Sequence, residues 1–208
     1  DTRCGPFLLH RARRVLPGDA HTSSGGHLQV KMLGAVARAI DIVNEQIGRG
    51  AAWLALIMVL LQFTVVLMRY VFGIGSIFMQ EGVIYLHAAL FLVGAGYTLL
   101  HGGHVRVDIF YRDARPRHKA LIDLLGTLLF LLPVCVVIGW ASLPYVAQSW
   151  VNLEGSRETS GIPAVFVLKS LILLFVVLIA LQGVSILLHS ILILTGAEEP
   201  EPEKPESV

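Results

Sequence analysis

The stretch AAWLALIMVLLQFTVVLMRYVF, residues 51–72, decides the fold class of this chain. Only Gln62, Thr64 and Arg69 interrupt its run of aliphatic and aromatic side chains. The hydrocarbon core of a bilayer is about 30 Å thick, and a helix needs about 20 apolar residues to cross it. The stretch therefore predicts a transmembrane helix.

Three more apolar stretches follow along the chain, at residues 78–100, 120–147 and 163–194. Hydrophobic residues make up 55% of the sequence and charged residues only 15%, whereas about a quarter of the residues in a soluble domain are charged. The sequence predicts an all-α integral membrane protein with a four-helix transmembrane domain over residues 51–196.

The third stretch is longer than one perpendicular crossing requires, since a helix rises about 1.5 Å per residue. Pro133 and Pro144 lie within it, and proline kinks a helix because it removes a backbone donor. We expect a tilted or broken helix whose end leaves the hydrocarbon.

Residues 32–50, directly before the first span, predict an amphipathic helix. Their apolar residues are Leu33, Val36, Ile40, Val43 and Ile47, and Arg38, Asp41, Glu45 and Arg49 fall between them. We expect this helix to lie in the membrane interface, with packing on a soluble face of a partner as the alternative. Gly48 and Gly50 are expected to break or turn it.

The two ends of the chain differ in composition from the spans. Residues 1–31 contain no apolar run long enough for a signal peptide after Arg14, and Met32 is a plausible initiator. We expect a disordered leader or a non-native extension there. Residues 197–208 alternate acids with prolines, which predicts a disordered tail.

The lysines and arginines predict the orientation. The link between the first two spans has none and the link between the last two has only Arg157, whereas the middle loop, residues 101–119, has five. Because positive residues stay in the cytoplasm, both termini and the middle loop are predicted to be cytoplasmic (N-in, C-in).

Ionisable residues at membrane depth count as functional candidates because they are costly there. Arg69 ends the first span and Glu81 opens the second, so the two could pair across the short turn, or Arg69 could simply snorkel to the interface. Lys169, near the start of the fourth span, is expected to pair with Glu154 or Glu158 as an interface anchor.

The histidines raise an alternative, a cytochrome b-type membrane anchor of a redox complex. Bis-imidazole haem binding needs two histidines at similar depth on different helices. His87 and His189 do not match in depth, but a shallow pair of His101 and His189 stays open, and His104 follows as an interfacial residue.

Enzyme signatures are missing from the sequence. No serine has the Gly-x-Ser-x-Gly context, and no His-Glu-x-x-His or phosphate-binding glycine loop occurs. We therefore expect no catalytic, cofactor-binding or metal-binding residues. The net charge of +1, with its basic residues in short clusters between apolar runs, gives no indication of nucleic-acid binding.

Several polar landmarks, taken in order, carry a family resemblance. They are Arg69-Tyr-Val-Phe-Gly73, Glu81, Gly94-Ala-Gly96, His104-Val-Arg106-Val-Asp108, Ser149-Trp150, Glu154-Gly-Ser156, Gly161-Ile-Pro163 and Leu181-Gln182-Gly183. Together they resemble the small membrane subunit of tripartite ATP-independent periplasmic (TRAP) transporters, the DctQ type.

This resemblance implies a multi-pass protein of the bacterial inner membrane. In that family a large membrane subunit carries the substrate and sodium sites, and a periplasmic binding protein delivers an organic acid. The small subunit would be a scaffold and docking surface in the lipid bilayer; a scaffold for an unrelated complex is a third possibility. The structural or partner-contact candidates are Arg69, Glu81, His104, Arg106, Asp108, Glu154, Ser156 and Lys169.

Overall fold

The computed structural model describes residues 24–103 and 115–197, with side chains from residue 29 onward. These residues form helices and connections and no strand. The helices are α1 (Ser24–Val71), α2 (Ile77–Leu100), α3 (Pro116–Gly126), α4 (Leu132–Val151) and α5 (Val165–Leu194), and a π-helical segment, Thr127–Leu131, joins α3 to α4.

Four helical segments are long and apolar enough to cross a membrane: α1, α2, the continuous run from α3 through α4, and α5. The all-helical class and the four spans are therefore confirmed. The interfacial position of residues 32–50 and the N-in, C-in orientation stay predictions.

Helix α1 is continuous over 48 residues, or about 72 Å at ~1.5 Å per residue. The break expected at Gly48 and Gly50 is wrong. Gly48 instead allows close approach of α2, because a Cβ at this position would overlap the side chain of Tyr97. Gly50 faces open space. The helix begins at Ser24, within the segment predicted as a leader; residues 1–23 and 198–208 lie outside the described residues.

The first half of α1 packs on α2 and α5 through small and polar residues. Its inward positions recur at spacings of three and four, as in a coiled-coil seam. They are Gly34, Ala37, Asp41, Asn44, Gly48 and Ala51, of which Asp41 and Gly48 are half-buried and the others buried. Leu33, Val36 and Val43 of the predicted apolar face are exposed. Small and polar side chains thus form the contact with α2 and α5.

The turn between α1 and α2 is short. Gly73 has a φ of 67°, in the left-handed region that glycine adopts without strain. Ser76 then caps α2, since its hydroxyl accepts a hydrogen bond from the Met79 N–H at 3.4 Å. The predicted hairpin between the first two spans is therefore present.

The third span is irregular next to its first proline. The Leu132 N–H bonds to the carbonyl of Thr127, five residues back, and Pro133, which has no N–H, follows directly. A π turn of this kind accommodates the proline without ending the helix. Pro144 lies inside α4, which continues past it.

Helix α5 is the centre of the arrangement. It contacts α1, α2, α3 and α4, whereas α4 contacts neither α1 nor α2 among the described residues. The helices are therefore arranged as an open layer in which α5 lies between the others. Much of their apolar surface faces outward.

Candidate functional site

One end of the molecule carries the α1–α2 turn (residues 72–76) and the link between α4 and α5 (residues 152–164); we call it the hairpin end. Glu81, in the second turn of α2, fastens this link. Its carboxylate accepts a hydrogen bond from the Ser156 hydroxyl and another from the Ile162 N–H at 2.6 Å. Glu81 and Ser156, two predicted candidates, are thus in contact although 75 positions separate them in the sequence.

The link is folded tightly around this carboxylate. The Ser156 N–H donates to the Ile162 carbonyl at 3.2 Å, and the Ser156 hydroxyl accepts from the Glu158 N–H at 3.1 Å. A Cβ at Gly161 would overlap the Ser156 side chain and lie 2.7 Å from a Glu81 carboxylate oxygen. Only glycine leaves room for this approach.

A second carboxylate, that of Glu154, ties the link to α4 and α5. It accepts hydrogen bonds from the ammonium of Lys169 and from the Ser149 hydroxyl at 2.8 Å. The Lys169 ammonium also lies 4.0 Å from the centre of the Tyr145 ring, a cation–π contact. Lys169, and then Ser149, hold the pKa of the Glu154 carboxyl below its usual range. Of the two partners predicted for Lys169, the structure selects Glu154.

Aromatic packing completes the base of the link. The Trp150 indole N–H donates to the Ser170 hydroxyl at 2.7 Å. Its ring meets that of Phe166 edge-on, with centroids 4.7 Å apart. These contacts join the end of α4 to the start of α5, so three helices hold the link in place.

Arg69 does not pair with Glu81, and the predicted clasp between them is wrong. Glu81 is turned to the link, where two donors satisfy it. Arg69 is exposed, and it makes no ion pair within the described part of the chain. The short turn between the two spans suggested this pair. The actual partners of Glu81, Ser156 and Ile162, are distant in the sequence, so they were not recognised as competing with Arg69.

The tip of the link points outward. Arg157, Glu158, Thr159 and Ser160 are exposed, whereas Ser156 and Gly161 on either side of them are half-buried. At the hairpin end, a short charged and polar tip is therefore exposed, and hydrogen bonds hold the residues on either side of it.

A second polar network lies at the opposite end of the membrane-spanning helices, which we call the terminal end. One oxygen of Asp41 accepts hydrogen bonds from Ser185 at 2.6 Å and from Gln182 at 3.0 Å. The other lies 3.1 Å from Nε2 of His189. Asn44, 1% exposed, donates to the Gln182 amide oxygen at 2.7 Å. This network joins α1 to α5.

The sequence reasoning missed the terminal-end network. A signal was present, because Gln182, Ser185 and His189 recur at spacings of three and four in the second half of α5, whose other residues are apolar except for Ser190. Polar residues at helical spacing in a span indicate a helix–helix contact.

The geometry of the histidines does not favour the shallow haem pair. Nε2 of His101 lies 2.7 Å from a Glu45 carboxylate oxygen, and Nε2 of His189 faces Asp41. Each ring is thus directed at a carboxylate of α1 and not at the other ring. No group of three potential metal ligands occurs in the two described ranges.

Three predicted candidates, His104, Arg106 and Asp108, lie outside the described residues. Their proposed role in partner contact stays a prediction.

The model of one protein family matches residues 58–192, from the last third of α1 to the last turn of α5. Its description is "Tripartite ATP-independent periplasmic transporters, DctQ component". The chain belongs to the DctQ family. The sequence resemblance is therefore confirmed, and this DctQ protein is a multi-pass membrane subunit of a TRAP transporter. Neither a curated protein nor a solved structure matches the chain.

The matched region contains the whole hairpin end of this DctQ protein, including Glu81, Glu154, Ser156 and Lys169. Of the terminal-end network it includes the α5 side but not Asp41 and Asn44. The family is a transporter component and not an enzyme, which agrees with carboxylates that are satisfied by structural partners.

Proposed function

We propose that this subunit braces the large membrane subunit of its transporter in the bacterial inner membrane. Its hairpin end would help to dock the periplasmic binding protein during sodium-driven uptake of an organic acid. We infer the docking role from the link at the hairpin end, which hydrogen bonds hold in place.

The link is suited to docking because its base is ordered before any partner arrives. Glu81 and Glu154 hold residues 154–162 through hydrogen bonds to α2, α4 and α5. Ordering a loop on binding costs free energy, so a loop that is already held binds more tightly for the same contacts. The exposed tip then offers Arg157 and Glu158 for charge-complementary contact.

The bracing role is supported by the shape of the helix layer. The described residues hold no cluster of ionisable side chains at mid-depth, and their polar networks lie at the hairpin and terminal ends. Apolar side chains of α2 remain exposed, among them Ile84 and Phe91. Such a chain supplies surface to a partner and leaves the transport sites to that partner.

The docking role is tested by uptake in proteoliposomes that hold the two membrane subunits, with the binding protein added at increasing concentration. Arg157→Gln is expected to raise the binding-protein concentration for half-maximal uptake about threefold to tenfold, since rim charges act mainly on association. The maximal rate is expected to stay near that of the parent.

Arg38→Gln is the matched control, because Arg38 is also an exposed arginine but lies on the terminal-end half of α1. It is expected to leave the concentration dependence unchanged. Equal curves for Arg157→Gln and the parent would contradict the docking role. Replacing the sodium gradient with potassium is expected to abolish uptake, and a haem absorbance band in the purified complex would favour the redox alternative.

A further inference from the structure

Helix α2 exposes one narrow stripe. From Met79 to Leu100 the exposed residues are Gln80, Ile84, His87 and Phe91, and the others are buried or half-buried. The spacings of four, three and four are those of the contact positions of paired helices. The stripe therefore has the width of the contact face between two packed helices.

The exposed face of α4 differs from this stripe. Between Pro133 and Ala147, the exposed residues of α4 lie on most of its circumference and are apolar or aromatic, among them Val137 and Trp140. A broad face of this kind is what lipid tails solvate. The α2 stripe is narrow, and two of its four members carry hydrogen-bonding groups.

Within the α2 stripe, His87 is the polar residue that lies deepest in the span. It lies about 16 Å along α2 from the Ser76 cap, at ~1.5 Å per residue, which is near the middle of a hydrocarbon core about 30 Å thick. Its ring stacks beside Phe91, with centroids 6.5 Å apart, and it has no hydrogen-bond partner among the described residues. A polar side chain left in hydrocarbon is costly, and such residues normally face another helix.

We propose that the α2 stripe (Gln80, Ile84, His87 and Phe91) seats one transmembrane helix of the large membrane subunit. That partner helix carries a hydrogen-bonding side chain or an open backbone carbonyl at the depth of His87. Ile84 and Phe91 pack against its apolar surface on either side. The inference rests on the proposed function, in which this DctQ component braces a separate large membrane subunit.

The direct test is photo-crosslinking in membranes that contain this chain and the large subunit. The photo-reactive residue p-benzoylphenylalanine is placed at Ile84 or, as the matched control, at Val137; these side chains are 58% and 66% exposed. The Ile84 probe is expected to yield a crosslink to a peptide of the large subunit. The Val137 probe is expected to yield none above background.

A substitution supplies the second readout. His87→Leu is expected to leave the thermal unfolding of the isolated chain in detergent unchanged or slightly raised, because it replaces an exposed polar group with an apolar one. It is expected to lower recovery of the large subunit in co-purification about threefold to tenfold, as for loss of a hydrogen bond between membrane helices. A role inside this chain would give the opposite pattern, with lower stability of the isolated chain.

The outcomes separate this inference from the proposed function. If the parent chain forms no stable complex with the large subunit, both fail. If the complex forms but the Ile84 probe crosslinks only to lipid or to a second copy of this chain, the α2 stripe is not the partner seat and only this inference fails. A crosslink yield from Val137 equal to that from Ile84, or normal recovery with His87→Leu, would overturn it as well.

Discussion

The two polar networks of the chain differ in what they hold together. At the terminal end, Asp41 and Asn44 of α1 bond to side chains of α5, so two long helices are joined side by side. At the hairpin end, Glu81 and Glu154 hold a link between helices. The first network is placed to stabilise the helix packing, and the second to order a surface.

This difference predicts that changes at the terminal end act on global stability and changes at the hairpin end act locally. The largest effect is expected for Asp41→Ala, which leaves Gln182, Ser185 and His189 without their shared acceptor. Buried groups that lose a charged partner are costly, and we expect a loss of about 2 kcal/mol in the free energy of unfolding. Unfolding in mixed micelles, followed by circular dichroism, measures it.

The matched control for this prediction is Gln46→Ala, because Gln46 is exposed on the same half of α1. It is expected to change stability by no more than about 0.5 kcal/mol. If Asp41→Ala were as mild as its control, the terminal-end network would not be what holds α1 against α5.

A second pair of variants tests the close approach of α1 and α2 near the terminal end. Gly48→Ala is expected to cost about 1–2 kcal/mol, since its Cβ would overlap the Tyr97 side chain and overpacking is destabilising. Gly50→Ala, two positions away with nothing near its Cβ, is expected to stabilise the helix by about 0.5–1 kcal/mol. Effects of the same sign, measured by the same unfolding experiment, would contradict the assigned roles.

The smallest effect is expected at the hairpin end on acidification. The pKa of Glu154 is lowered in the folded chain by Lys169 and then by Ser149. The stabilisation of the link is therefore complete above the ordinary glutamate pKa of about 4.3 and is lost as the pH falls through the lower folded value. Trp150 packs at the base of the link, so its fluorescence is expected to shift to the red in that range.

This pH experiment is done with Trp53 and Trp140, the other two tryptophans, replaced by phenylalanine. Glu154→Gln is expected to remove the acid-induced change, and Glu158→Gln, at an exposed neighbouring position, is expected to retain it. An unchanged transition in Glu154→Gln would show that another group titrates.

The sequence predicted the four spans because apolar runs report directly on the solvent that surrounds a helix. It also predicted that Lys169 pairs with Glu154 or Glu158, since these residues are close in the chain, and the structure shows the pair with Glu154. It could not predict that Glu81 bonds to Ser156 and Ile162, because only the folded arrangement brings α2 beside the link.

The error at Gly48 has a related cause. A glycine in a helix lowers its propensity, and the sequence alone does not show that a neighbouring tyrosine requires the missing side chain. Asp41 faces inward, although the sequence pattern places it on the polar face of an amphipathic helix. In a soluble helix, a residue on that face would be exposed. In this membrane helix it marks the contact with α5.

The π-helical segment Thr127–Leu131 has a consequence for the direction in which α4 faces. A π turn adds one residue to a helix and rotates the residues after it by about 100° relative to an unbroken α-helix. Ala120 and Thr127, and then Cys135, Val146 and Ser149 of α4, are all buried. Without the added residue the buried positions of α4 would turn away from α5 while those of α3 stayed against it. The π turn at Thr127–Leu131 thus compensates for the different registers of α3 and α4, so that both helices pack against α5.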